Sequence, residues 1–522
     1  HGDYNVATNY VKGNNSYTVF AGANYSHVDG TETWNNENYQ FTQSLFDRES
    51  YSKNSYQNHQ EYMQFRYQNQ KGKRYWVGKF TLVNLSTPRN ASSGFAREST
   101  ETDIFSNIRK KSLSPKIDLN ANLPLSKNQT LTLGVHGKYS ANSYHRLYQE
   151  QPFEAMTDED ENALSFQLSA IYNYFSQKHS LSVELFHYHD VWNADYSGNC
   201  ELWQHLWKGE SLAFFSYNFQ ASRRLSLKTR IGLDWLQYHL HGDNSFSQLS
   251  PRINTNVQYQ LNKGMLLWSF NFVNSNHGMD VINRAMIQVN SHMMEKGMPE
   301  LKKSHDINTY LYYMGRFNRL SVSAIGQFRY NHHPVTDDYY LDEANGKIVK
   351  TYSNGGNAQY YSAILALQYK LCKFANLSGD IRYNHAEVKT TWSKHNNNLT
   401  GNLGLNMFMG DFALKPYLHF GKKSLDEAAL VISKTPIDYG MSCSYSRGNL
   451  YVELQAVSPF KKQEKRYWLD LPIYSYSKSI KDQTASQYAS IKVAYSFDFG
   501  RKTQKVEKDV NKNINSSLLR VE

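Results

Sequence analysis

The chain has 522 residues, a formal net charge of +11 from 57 Lys+Arg and 46 Asp+Glu, and a mean hydropathy of −0.67. It lacks any run of about 18 apolar residues, which excludes a helical membrane span. The positive charge is spread along the chain without a compact basic module, which argues against a nucleic-acid partner.

Aromatic residues nevertheless make up 14% of the sequence, and 40 of them are Tyr. A membrane β-barrel reconciles the two values. Only alternate residues of its strands face lipid, so averaged hydropathy stays low, while aromatic girdles mark both interfaces. Cys200, Cys372 and Cys443 are odd in number and include no CxxC pair, which leaves no basis for a disulfide framework or zinc ribbon.

Taken in chain order, the segments alternate with period two. A first strand spans about residues 4–11. Further on, Leu131, Leu133, Val135 and Tyr139 share one face, and Thr132, His136, Lys138 and Ser140 the other. The run from Leu225 sets Leu227, Ile231, Leu233 and Trp235 against Ser226, Lys228, Arg230 and Asp234. The run from Leu320 sets Val322, Ala324 and Phe328 against Ser321, Ser323, Gln327 and Arg329. The last run places Ile491, Val493, Tyr495, Phe497 and Phe499 opposite Ser490, Lys492, Ser496 and Asp498. Such runs reach ten or more residues, beyond the usual five or six of a soluble sandwich and close to the 9–11 of a tilted membrane strand.

Tight polar turns fall near Gly13, Gly72, Lys127, Gln177, Arg223, Lys263, Phe317, Cys372, Gly410 and Gly448. Their spacing, roughly 38 to 59 residues, exceeds two strands of about twelve, so loops of roughly 12 to 35 residues are expected on the opposite side. Short periplasmic turns and long extracellular loops are the outer-membrane pattern. Ten hairpins and a final strand from Tyr488 make twenty-one strands, the first of them descending. Because bacterial single-chain barrels have even strand numbers, an ascending strand is expected upstream of residue 1, for a total of about twenty-two. The predicted fold is thus all-β, a transmembrane antiparallel β-barrel over residues 1–500, with a polar periplasmic tail at 501–522.

Charges on the lipid face would cost about 2–4 kcal/mol at mid-membrane. Lys138, Lys228, Arg230, Asp234, Arg329, Lys492 and Asp498 are therefore placed in the lumen, for contact with a plug or a ligand. Trp192, Tyr196, Trp203 and Trp207 are placed in long loops, as ligand candidates or as loop packing. His187 with His189, His239 with His241, and His332 with His333 are the closest histidine pairs, and no acid or thiolate cluster completes a metal site around them. No HExxH, GxSxG, Walker loop or helix-opening GxGxxG occurs, so neither an enzyme nor a cofactor is expected. The aromatic row Tyr495, Phe497 and Phe499 suits edge-strand recognition by barrel-assembly machinery.

Two motifs carry a family resemblance. Lys296-Gly297-Met298-Pro299-Glu300-Leu301-Lys302 resembles the "GNP-x-L-K-P" stretch of Bacteroidota-type TonB-dependent receptors, which ends a long loop just before a strand; here a strand follows from about His305 to Met314. Met298 stands in place of Asn, and Lys303 in place of Pro. The family's "RRP" element is replaced around Asn274 to Gly278. Tyr495-Ser496-Phe497-Asp498-Phe499-Gly500-Arg501-Lys502 resembles the "YSFNFGKK" ending. The resemblance implies an outer-membrane transporter for a bulky nutrient, gated by a plug upstream of this chain and driven through TonB. It further implies contact with outer-membrane lipids, a surface lipoprotein over the loops, and a Gram-negative, Bacteroidota-like host. The alternatives are a barrel repurposed as a structural or assembly subunit and, last, a passive porin.

Overall fold

The computed structural model describes residues 2–495, save 43, 244, 276, 461–462 and 483–486, and residues 510–514. Strands dominate, and one antiparallel sheet of 25 segments curves into a barrel. Four of those segments, Lys422–Asp426, Val431–Thr435, Glu464–Asp470 and Tyr474–Lys481, are upper continuations of neighbouring strands across short breaks. Twenty-one wall strands remain. No helix among the described residues is long and apolar enough to cross a membrane.

All ten expected turns are hairpin turns. Four of them contain a left-handed glycine, Gly13, Gly72, Gly410 and Gly448, at φ of about +60°. The wall above the turns is apolar outside and polar inside. Leu133, Val135, Ile231, Leu233 and Trp235 point out, while Thr18, Gln64, Thr81, Lys116 and Ser140 are buried on the lumen side. This dyad pattern gives a membrane-spanning barrel its lipid-facing band.

The opposite end corrects the expectation of long loops. Strands there run far past the membrane: Asn15–Gln40 has 26 residues and Leu45–Lys71 has 27, against the 9–11 that a crossing needs. The extra residues stay paired, as in Glu32↔Lys53 and Tyr39↔Phe46. Backbone pairing does not require lipid, so polar stretches prolong the wall. Among the described residues, only 277–303 and 333–356 leave it as long excursions. The three cysteines are free.

The wall closes unevenly. In its upper part Glu32–Tyr39 pairs directly with Tyr474–Lys481. In its lower part Gly2–Lys12 pairs with Asn15–Tyr25, and Tyr488–Tyr495 with Leu450–Val457. No pairing between described residues covers the other edge of either strand. The outward side chains there are exposed, Tyr4 at 65%, Val6 at 71% and Ile491 at 68%. Gly30, at φ +80°, forms the bulge where the strand Asn15–Gln40 changes partner.

Of the segment 501–522, expected as a periplasmic tail, only residues 510–514 are described. Residues 510–514 lie inside the lumen, where the Lys116 ammonium donates to the carbonyls of Asn511 at 2.9 Å and Asn513 at 2.5 Å. Phe497, Asp498 and Phe499 lie outside the described residues.

A lid over the barrel mouth as candidate functional site

The two excursions combine into one lid. The first supplies a helical turn, Met279–Ile282, and strands Met286–Gln288 and Met293–Lys296; the second supplies Thr336–Asp342 and Lys347–Ser353. Met293–Glu295 runs parallel to Ile348–Lys350, joining the halves into a four-stranded sheet.

Apolar residues seat this sheet on opposite sides of the mouth. On one side Met279, Ile282, Ala285, Ile287 and Leu301 of the lid pack against Trp192, Tyr196, Leu206 and Leu240 of the wall. On the other, Met293, Tyr339 and Ile348 pack against Tyr39, Val388, Leu430, Leu469 and Tyr474. Lid residues with relative exposures near zero, such as Ile287 at 1% and Ile348 at 0%, are worth roughly 1.5–3 kcal/mol each by burial. The placement corrects the loop assignment of the aromatic candidates. Trp192 and Tyr196 lie on the wall strand His179–Gly198 and face the lid. Trp203 and Trp207 lie on Leu202–Gln220, and Trp203 is 48% exposed.

Polar contacts clamp the lid between these two cores. Arg146 donates to the carbonyls of Gln288 at 2.9 Å and Val289 at 2.6 Å. Asn290 donates to the Tyr39 hydroxyl at 3.2 Å, and His292 Nε2 meets Glu98 at 2.6 Å. Trp392 Nε1 donates to Asp338 at 2.8 Å. Beside them, Arg48 is buried among Glu37 at 3.3 Å, Glu150 at 3.0 Å and Glu98 at 3.8 Å.

The family-like stretch Gly297, Pro299, Glu300, Leu301 and Lys302 forms the clasp of the lid. A Cβ on Gly297 would meet the Asn283 carbonyl oxygen at 2.3 Å, so only glycine fits. Met298 N–H donates to the Val281 carbonyl at 2.7 Å, and the Lys302 carbonyl meets His277 Nε2 at 2.8 Å. Lys303, where the family pattern has Pro, is wholly buried and pairs at 2.9 Å with Asp234, which is also wholly buried. Arg252 holds the same Asp234 at 2.6 Å. The departure from the motif thus supplies an anchor between lid and wall.

The remaining lumen-side residues have mixed surroundings. Arg230 pairs with Glu184 at 2.5 Å, and Arg329 pairs with Glu427 and, at 3.7 Å, Asp306. Lys138 stands opposite Lys116 in the ladder, Lys228 is exposed near the turn side, and Lys492 stands opposite Glu453. His187 and His189 are 6.2 Å apart between ring centres, and His187 meets the Ser211 hydroxyl at 2.9 Å.

One titrating group sits in the lid's interior. Burial, opposed by Lys350 and reinforced by Glu295, pushes Asp337 up to about 6. A carboxyl raised in the closed lid binds a proton that the opened lid does not hold at the same pH. Closure is therefore expected to strengthen as pH falls from about 6 towards 4, and to lose this contribution above 6. The gain should be up to about 2 kcal/mol, since one unit is worth 1.36 kcal/mol. Hydrogen exchange of residues 286–296 at pH 5 and pH 7, corrected for intrinsic rates, measures it. Asp337→Asn should show equal protection at both values; Lys350 keeps Glu295 at 3.4 Å in that variant.

No family model matches this sequence, and no curated protein matches it. Its backbone is similar to those of several solved structures. The copper transporter OprC aligns with a TM-score of 0.55 at 10% identity, over 87% of this chain and 80% of that one. The ferric citrate transporter FecA in its unliganded form gives 0.53 at 9% identity, over 87% and 78%. BauA, the ferric preacinetobactin receptor from Acinetobacter baumannii, gives 0.53 at 7% identity, over 92% and 79%. At such identities the likeness is one of fold: this chain has the large antiparallel barrel of those outer-membrane receptors.

Proposed function

We propose that this chain is the membrane barrel of a TonB-dependent uptake system in the outer membrane of a Gram-negative bacterium, with the lid on the extracellular side. The observation that carries the reading is a polar lumen beneath a separately built lid, in a barrel with the backbone course of the copper, ferric citrate and ferric preacinetobactin proteins. In this reading the cargo is a bulky nutrient, and a plug linked to TonB gates it from the periplasmic side. Unpaired strand edges do not persist in hydrocarbon. One further ascending strand between Gly2–Lys12 and Tyr488–Tyr495 would satisfy both edges and give twenty-two. The Bacteroidota assignment rests on the two sequence motifs, and a surface lipoprotein over the mouth belongs to the same reading. The exposed row ending at Tyr495 suits pairing with the assembly machinery during insertion.

A structural role is the second reading. It is favoured by the depth of the lid's seating, two apolar cores and buried ion pairs that keep the mouth shut. One experiment separates the two. Cells with and without the intact gene, each with and without functional TonB, are tested for uptake of copper, ferric chelates and oligosaccharides. Loss of one uptake on deleting either gene supports the transporter. Unchanged uptake, with co-purifying membrane partners destabilised by the deletion, supports the scaffold.

A further inference from the structure

Residues 510–514 lie against the luminal wall, and the contacts are specific. Lys116 lies on the strand Glu101–Ser126, about ten residues above its turn, with its side chain directed inward and only 5% exposed. Its ammonium donates to two backbone carbonyls of the segment, Asn511 and Asn513, and the Asn513 N–H closes a turn onto Asn511 Oδ1 at 3.0 Å. A second wall residue holds the intervening side chain, since the Lys512 ammonium lies 4.1 Å from the centre of the Tyr62 ring. Tyr62 is set by its own neighbours. Its hydroxyl donates to Asn5, and its ring lies where a Cβ on Gly22 would be, 2.6 Å from the nearest ring atom.

The arrangement reads a peptide backbone, because one buried cation takes two main-chain carbonyls and one aromatic face takes a cation. Fourteen residues lie between Tyr495 and Val510, a reach of up to about 50 Å when extended. That exceeds the climb to Lys116, about 28 Å for some eleven tilted strand residues.

We propose that residues 510–514 are a luminal self-ligand. They bind the inner wall at Lys116 and Tyr62 and occupy the passage from below while the lid closes it from above. The site takes a short, turned, lysine-bearing peptide, so any other luminal occupant competes with the tail. This inference does not depend on the transport reading.

The test uses the full chain in detergent micelles with its three cysteines replaced by serine and Asn513→Cys introduced, a position that contributes only backbone atoms to the contacts. A maleimide carried on a polyethylene glycol too large to enter the lumen is the probe. Native protein should react at least ten times more slowly than urea-unfolded protein. Lys116→Glu, which removes the donor and repels the carbonyls, should raise the native rate towards the unfolded one, whereas Lys116→Arg should keep the protection. Heat-modifiable gel migration checks that each variant is folded. A photo-crosslinker at position 513 should capture residues of the strands that carry Tyr62 and Lys116. Fast labelling of native Asn513→Cys, protection unchanged by Lys116→Glu in a folded barrel, or crosslinks confined to the turn-side rim would each overturn the proposal.

Discussion

Replacing Arg48 with leucine is expected to loosen the top of the barrel, at a cost of about 3–5 kcal/mol. Its side chain is 3% exposed and lies against Glu37, Glu150 and Glu98, while the Tyr148 hydroxyl accepts from it at 3.0 Å. Without the guanidinium, the negative charge of Glu37 and Glu150 is uncompensated in a poorly hydrated place, while Glu98 keeps His292. The damage should centre on the closure, because Glu37 also accepts from Tyr39 at 2.8 Å and from Tyr474 at 2.7 Å. Those two tyrosines face each other across the pairing that closes the upper wall. The expected readout is a clear drop in the temperature at which the folded gel band is lost. Arg48→Lys should recover only part of it, because a single ammonium cannot fork between several acids. Adding Glu150→Gln to Arg48→Leu should restore more stability than Glu150→Gln removes from the parent, since the acid is then the unpaired partner.

The Asp234–Lys303 anchor should show an asymmetry. Asp234→Ala leaves an ammonium with no exposed surface and no other acid in contact among the described residues, so a loss of about 3–5 kcal/mol in lid closure is expected. Lys303→Met leaves Asp234 with Arg252 at 2.6 Å, so the loss should be nearer 1–3 kcal/mol. The double variant should resemble Lys303→Met, giving a favourable coupling. Cys200 reports the result. It packs against the first lid core, and burial pushes its thiol above the ordinary range. In a background lacking Cys372 and Cys443, maleimide labelling of Cys200 at fixed pH should be fastest in Asp234→Ala. Equal rates in Asp234→Ala and Lys303→Met would show that the ion pair does not hold the lid.

The membrane half of this fold is legible in sequence because lipid on one face and water on the other force strict alternation. Leu131 to Ser140 and Leu225 to Trp235 show it without help from tertiary contacts. Above the membrane that constraint ends. Residues 54–60, Asn-Ser-Tyr-Gln-Asn-His-Gln, have no apolar face, yet they continue the strand Leu45–Lys71. Such stretches resemble loops because their stabilisation is the backbone ladder, which leaves no side-chain period. The lid is hidden for another reason. Alternation directs Asp234 inward, but its partner Lys303 is 69 residues away, and Arg48 meets Glu150 across 102. Pairs at that separation leave no local periodicity. Trp192 and Tyr196 mislead in the same way: their side chains suit a loop that captures ligand, whereas their position makes them the seat of the lid.

The two halves of the lid share a mounting. The first excursion ends where the strand Ser304–Phe317 begins, and the second begins where Leu320–His332 ends. Both therefore rise from the tip of a single hairpin, whose other end is the tight turn at residues 318–319. Their parallel pairing ties them together, so neither half can tilt without carrying its companion. That hairpin is itself fixed, since Ser304–Gly315 is laddered to Gly264–Ser275 on one side and Leu320–His332 to Asn357–Tyr369 on the other, so the lid is hung from a rigid part of the wall.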